Sequence, residues 1–162
     1  MAAPVLVDAG PLVAFLLAGD QYHDWATTQF ARLHDPLFTC EAVISEAMFL
    51  VEHFEPAHEK FCAMMETGEI RLAFNLREQL PSVLELIRRY RDVPMSLADA
   101  CLVRMAELHD RSKVFTLDAH FRAYRKHRRQ PRHELLISFW LTTLLITEII
   151  ESASTCVRGS WR

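Results

Sequence analysis

Short, unbroken apolar runs alternate along the chain with longer stretches whose apolar positions recur at helical spacing. Pro4-Val5-Leu6-Val7 is one such run, the pattern of a strand covered on both faces. Asp8 closes it, and Gly10-Pro11 turns the chain into an apolar helix predicted over residues 12–17. Gly19-Asp20 breaks that helix. A second follows over 23–33 with Trp25, Phe30 and Leu33 facing inward. After the Asp35-Pro36 turn, 37–39 reads as a strand, and 41–53 as a helix carrying Val43, Ala47, Leu50 and Val51 in register. Pro56 opens a helix to 66 that Gly68 ends, and 70–73 is a third strand. A helix over 78–91 presents Leu80, Val83, Leu84, Ile87 and Tyr90, and Pro94 stops it. Ser96 caps a helix over 97–109, and 113–116 is a fourth strand.

Strands that alternate with helices throughout predict an α/β fold. The expected form is a single domain around a parallel sheet of four to five strands, with helices on both faces. A length of 162 residues suits one core. With 51% apolar and 24% charged residues, the chain is globular rather than disordered. A net charge of −3 excludes polyanion binding by bulk charge, so any nucleic-acid contact requires a local patch. Cys40, Cys62, Cys101 and Cys156 form no C-x-x-C pair and sit in apolar settings, as reduced core cysteines do. No Lys or Arg precedes Arg32, so the charged start of a signal peptide is missing and a cytoplasmic location is expected.

Four acids fall at element ends. Asp8 follows the first strand, Glu46 lies one turn into the helix after the second, Asp99 is in the first turn after Ser96, and Asp118 follows the fourth strand. A parallel sheet can bring all four to one rim, where its ligands sit. Each acid singly could be a helix cap or a partner of the helix dipole. Jointly they favour a hard divalent cation, which takes oxygen ligands and relieves their mutual repulsion.

These motifs carry a resemblance. Strand-Asp8, Glu46, Ser96-Leu97-Ala98-Asp99-Ala100 and Thr116-Leu117-Asp118-Ala119-His120-Phe121 resemble the acidic motifs of PIN-domain nucleases, and within them the VapC toxins of type II toxin–antitoxin systems. The resemblance spans roughly residues 4–130 and implies a PIN-like nuclease domain over 1–134. It implies that Asp8, Glu46, Asp99 and Asp118 hold one or two Mg²⁺ or Mn²⁺ ions and catalyse hydrolysis of RNA phosphodiester bonds by a metal-activated water. It further implies an antitoxin that lays a C-terminal segment into the acidic groove, and a homodimer. Two departures stand out: Gly10 replaces a hydroxyl residue found in many relatives, and Ser96 stands where many have an acid. Ser96 is expected as a cap that also reaches a metal-bound water or the substrate. Thr116 is either a hydroxyl supporting Asp118 on the substrate side or a plain strand residue. Two alternatives stay open: a catalytically inactive PIN-like module binding RNA or protein, and a phosphatase or DNA nuclease on the same scaffold.

Arg122, Arg125, Lys126, Arg128, Arg129 and Arg132, with His120, His127 and His133 among them, form the one dense basic stretch. Beside an acidic site, Arg122, Arg125, Lys126, Arg128 and Arg129 would hold an RNA backbone; as a charge run they would also suit a solvated surface. Residues 135–162 are expected as an extension, with an edge strand over 135–139 and an apolar helix beyond it. Its uncharged run over 135–147 is shorter than the ~20 residues that span a bilayer, so no membrane partner is expected.

Overall fold

The computed structural model describes residues 4–109, 111–122, 124 and 134–137, of which 122 and 134–137 are described in backbone only. Five strands, β1 (Val5–Val7), β2 (Leu37–Thr39), β3 (Ile70–Leu72), β4 (Lys113–Thr116) and β5 (Glu134–Ile137), form one sheet in the order β3-β2-β1-β4-β5. Every pairing is parallel. Six helices connect them: α1 (Ala9–Leu16), α2 (His23–Phe30), α3 (Glu41–Val51), α4 (Glu55–Glu66), α5 (Leu76–Arg89) and α6 (Leu97–Leu108). The chain steps outward from β1 to β3, then returns across the sheet to β4. Parallel strands need crossover connections, and the helices on that path cover both faces of the sheet. β1 is accordingly buried at all three residues, and the α/β architecture is as expected.

Local chemistry accounts for where the elements begin and end. α1 starts three residues earlier than the apolar spacing predicts, because the Asp8 carboxylate accepts from the Ala9 amide and caps it. Pro11 then falls in the first turn, where a missing N–H costs nothing. α5 starts early for the same reason, with Asn75 capping Glu78 at 3.3 Å. Gly68, at φ +78°, ends α4 in the left-handed conformation that glycine adopts without strain.

The core gathers Leu6, Val7, Leu12, Val43, Val51, Phe61, Val83, Leu102, Met105 and Phe115. Phe30 stacks on Phe15 at 4.3 Å between centroids and meets Phe115 at 5.3 Å, joining α1 and α2 to β4. The inner face of α5 differs from the one predicted. Val83, Leu86 and Tyr90 are buried, whereas Leu80 and Leu84 are exposed, as is Leu50 on α3. Cys40 and Cys101 are buried and Cys62 half-buried, all as free thiols; Cys156 lies outside the described residues.

β5 pairs with β4 from Glu134 onward, so the boundary expected between 134 and 135 falls inside a strand of the same sheet. The expected apolar helix beyond it lies outside the described residues. Among the described residues, no helix is long and apolar enough to cross a membrane.

Candidate active site

The sheet order reverses between β1 and β4, which places the topological switch point, and its crevice, at the carboxyl ends of these two strands. Asp8 and Asp118 stand there. The Asp8 amide donates to the Phe115 carbonyl at 3.0 Å, continuing the β1–β4 ladder to the last residue before α1. Thr116 Oγ1 donates to Asp8 Oδ2 at 2.7 Å and accepts from the Asp118 amide at 2.9 Å, so one hydroxyl fixes two of the four acids. Thr116 is wholly buried. It therefore orients Asp8 and the start of the Asp118 segment and is more than a plain strand residue. On the other side of β1, Thr39 Oγ1 donates to the Val7 carbonyl at 2.9 Å and holds the end of β2 alongside.

Asp99 arrives from α6. Ser96 and Asp99 form a reciprocal cap: the Asp99 amide donates to Ser96 Oγ at 3.0 Å, and the Ser96 amide to Asp99 Oδ2 at 2.8 Å. Ser96 is exposed at the rim and caps the helix as expected. The capping and clustering readings of these acids coexist, since Asp8 and Asp99 both cap helices and both face the other acids. Glu46 reaches the rim from α3. Asp118 accepts at Oδ1 from the His120 amide and faces His120 Nδ1, both at 2.8 Å. Gly10 leaves room for a side chain, since a Cβ there would meet Leu117 at 3.5 Å, an ordinary contact; the missing hydroxyl is not imposed by space.

Electrostatics binds the four acids into one group. Asp8, 8% exposed, is raised from an ordinary 3.8 to about 7, chiefly by burial. The Thr116 and Ala9 hydrogen bonds oppose this, while Asp99 and Glu46 add to it. Partial desolvation, then Asp99 and Asp118, push the exposed Glu46 carboxyl up. Asp99 is raised by burial against the pull of its Ser96 hydrogen bonds, with Asp118 adding to the rise and His120 countering it. Clustered carboxylates with raised pKa values are a recognised mark of a functional site, and a divalent cation favours their charged form. An all-oxygen donor set suits Mg²⁺ or Mn²⁺. Among the described residues, however, no three His, Cys, Asp or Glu side chains close to ligating distance. The acids sit within electrostatic reach of one another as an open rim. Of the basic stretch, Arg125, Lys126, Arg128 and Arg129 and the Arg122 side chain lie outside the described residues.

A cavity of about 580 Å³ lies toward the amino ends of β2 and β3, lined by Phe15, Phe30, Leu33, His34, Met64 and Glu69 among others. None of the four acids lines it, and the strand carboxyl ends, not this cavity, hold the clustered ionisable groups.

The PIN domain family matches residues 5–127. The chain belongs to the PIN domain family. Among solved structures, it is similar to the Mycobacterium tuberculosis VapC20 toxin, described as cleaving the sarcin–ricin loop. The identity is 21% and the TM-score 0.63, with 75% of this chain and 95% of that one covered. No curated protein matches. The PIN fold expected from the four motifs is thus the fold observed.

Sequence reasoning missed three contacts around the acids. His120 pairs with Asp118, Thr116 serves Asp8 across the sheet, and Tyr124 stands beside the cluster. The placement of Thr116 two residues before Asp118 was a usable signal. The tyrosine gave none, since its partners are 30 and 34 residues away.

Proposed function

We propose that this PIN-domain protein is a metal-dependent endoribonuclease, the toxin of a VapC-like toxin–antitoxin pair. The observation that carries the reading is the convergence of Asp8, Glu46, Asp99 and Asp118, from four elements, at the switch point of a PIN fold. Each of the first three has its pKa raised and at least one other acid among the causes. These four would hold Mg²⁺ or Mn²⁺, and the bound ion would supply an activated water and charge stabilisation at the scissile phosphate.

The chain's own residues prepare that site. Thr116 holds Asp8 with Oδ2 pointed at β4, and Ser96 holds Asp99 at the start of α6. His120 steadies Asp118. Arg122, Arg125, Lys126, Arg128 and Arg129 follow directly in sequence and supply phosphate contacts. The acidic rim also suits a basic segment of a cognate antitoxin. Exposed Phe49, Leu50, Phe54, Leu80 and Leu84 on α3, its following turn and α5 support self-association as a homodimer. The reading implies a cytoplasmic protein whose nuclease domain includes β5 and so runs past residue 134 to at least 137.

The openness of the rim favours a second reading, an inactive PIN-like module that binds RNA or protein through this face. Incubation with an RNA hairpin carrying the sarcin–ricin loop, with Mg²⁺ or with EDTA, separates the two. The nuclease reading predicts cleavage in Mg²⁺ alone, lost in a folded Asp99→Asn variant. No cleavage of this or any cellular RNA, with intact RNA retained on the protein, would favour the module. Equal cleavage of the all-deoxy counterpart would point instead to a DNA nuclease.

A further inference from the structure

Asp8 is tied to β4 through Thr116, whereas the described hydrogen bonds of the Asp99 side chain run to its own cap. Asp99 and Asp118 nevertheless come from separate connections and repel each other. Two tyrosines bridge these connections. Tyr90, at the end of α5, donates its phenolic proton to the Tyr124 carbonyl at 2.5 Å. Tyr124 donates its own to the Pro94 carbonyl, two residues before Ser96. The two hydrogen bonds run in opposite directions between the segment 90–96, which delivers Asp99, and the segment after Asp118.

Ring packing closes the same junction. The Tyr90 and Tyr124 rings meet edge-on at 5.2 Å, and Phe121 meets Tyr124 at 5.5 Å. All three residues are buried. Burial, then the charges of Asp99, Asp118 and Asp8, push the Tyr124 phenol well above its usual range, so the junction lies within electrostatic reach of the acids. Loss of the Tyr90 hydroxyl would take the partner from the buried Tyr124 carbonyl, and loss of the Tyr124 hydroxyl would release its tie to the part-buried Pro94 carbonyl, while the ring packing survives.

We propose that Tyr90 and Tyr124 are positioning residues that brace the Asp99 turn against the Asp118 segment and so set the affinity of the acid rim for a divalent cation. This rests on the carboxylate-site reading above. Both act through the spacing of the acids.

The test is electron paramagnetic resonance of Mn²⁺ titrated into the full chain, reading free hexaaqua ion against bound ion. It compares wild type, Tyr90→Phe, Tyr124→Phe and the double variant. Met64→Ala, a core truncation on α4 away from the acids, serves as the control for lowered stability. All are measured well below their melting temperatures, with near-ultraviolet circular dichroism as the check of folding. Each single variant is expected to bind Mn²⁺ about fivefold more weakly, the effect of one lost hydrogen bond. The double variant should be weaker again, and Met64→Ala should match wild type. Tyrosine variants that bind within twofold of wild type, or a Met64→Ala affinity that falls as theirs does, would overturn the bracing role. Absence of saturable binding in wild type, or its persistence in Asp8→Asn/Asp99→Asn, would overturn the carboxylate-site reading, and the bracing role with it.

Discussion

Asp8 shows how one residue answers to two demands. As the N-cap of α1 it accepts from the Ala9 amide, and as a member of the acid group it is held by Thr116 in a buried position. Burial dominates and its pKa rises to about 7, so the folded protein takes up a proton that the unfolded chain releases near pH 4. A carboxyl raised in the folded state contributes stability that is present at low pH and lost as pH rises through the folded pKa. The interval between 3.8 and about 7 corresponds to about 4 kcal/mol from Asp8, and the rises at Glu46 and Asp99 have the same sign. Calorimetry in EDTA is therefore expected to give a lower melting temperature at pH 8 than at pH 5, and Asp8→Asn should flatten the trend. Added Mg²⁺ should restore the loss at pH 8, because the cation replaces the proton. A melting temperature that climbs from pH 5 to 8 without metal would show that Asp8 is not held in this environment.

At the scale of elements, the sequence revealed most where one physical cause acts locally. The run Val5–Val7, the Pro94 stop and the Ser96 cap each report their own neighbourhood, and β4 lies where its apolar pattern predicts. Boundaries slipped where a side chain caps from outside the periodic stretch, as Asp8 and Asn75 do. The inner face of α5 was misread because Leu80 and Leu84 fit the helical spacing yet remain exposed; periodicity says which residues share a face, not whether anything covers it. The four acids were legible as element ends. The tyrosine junction was not, because its hydrogen bonds depend on how the α5–α6 connection docks against the chain after β4. The Ser96–Asp99 cap offers a test at this level. Ser96→Ala should cost about 1 kcal/mol of stability, and it should weaken RNA cleavage by releasing Asp99 from its fixed orientation. Unchanged cleavage with the stability loss present would confine Ser96 to the helix end.

At the scale of the whole molecule, the proposed function sets a chain of net charge −3 against a polyanionic RNA. Net charge opposes that encounter, and the proposal assigns the attraction to the Arg- and Lys-rich stretch after Asp118. Replacing Arg125, Lys126, Arg128 and Arg129 together with Ala is expected to weaken RNA binding and to flatten its dependence on salt by roughly 0.7 for each phosphate no longer neutralised. An unchanged slope would return those residues to a solvated surface. The acid rim itself is tested most directly by calorimetric titration of Mn²⁺ into the purified protein at pH 7.5, with Asp8→Asn/Asp99→Asn alongside. Saturable binding in wild type that vanishes in the double variant is the predicted result. Equal heats in both proteins would contradict a carboxylate-held cation at the carboxyl ends of β1 and β4.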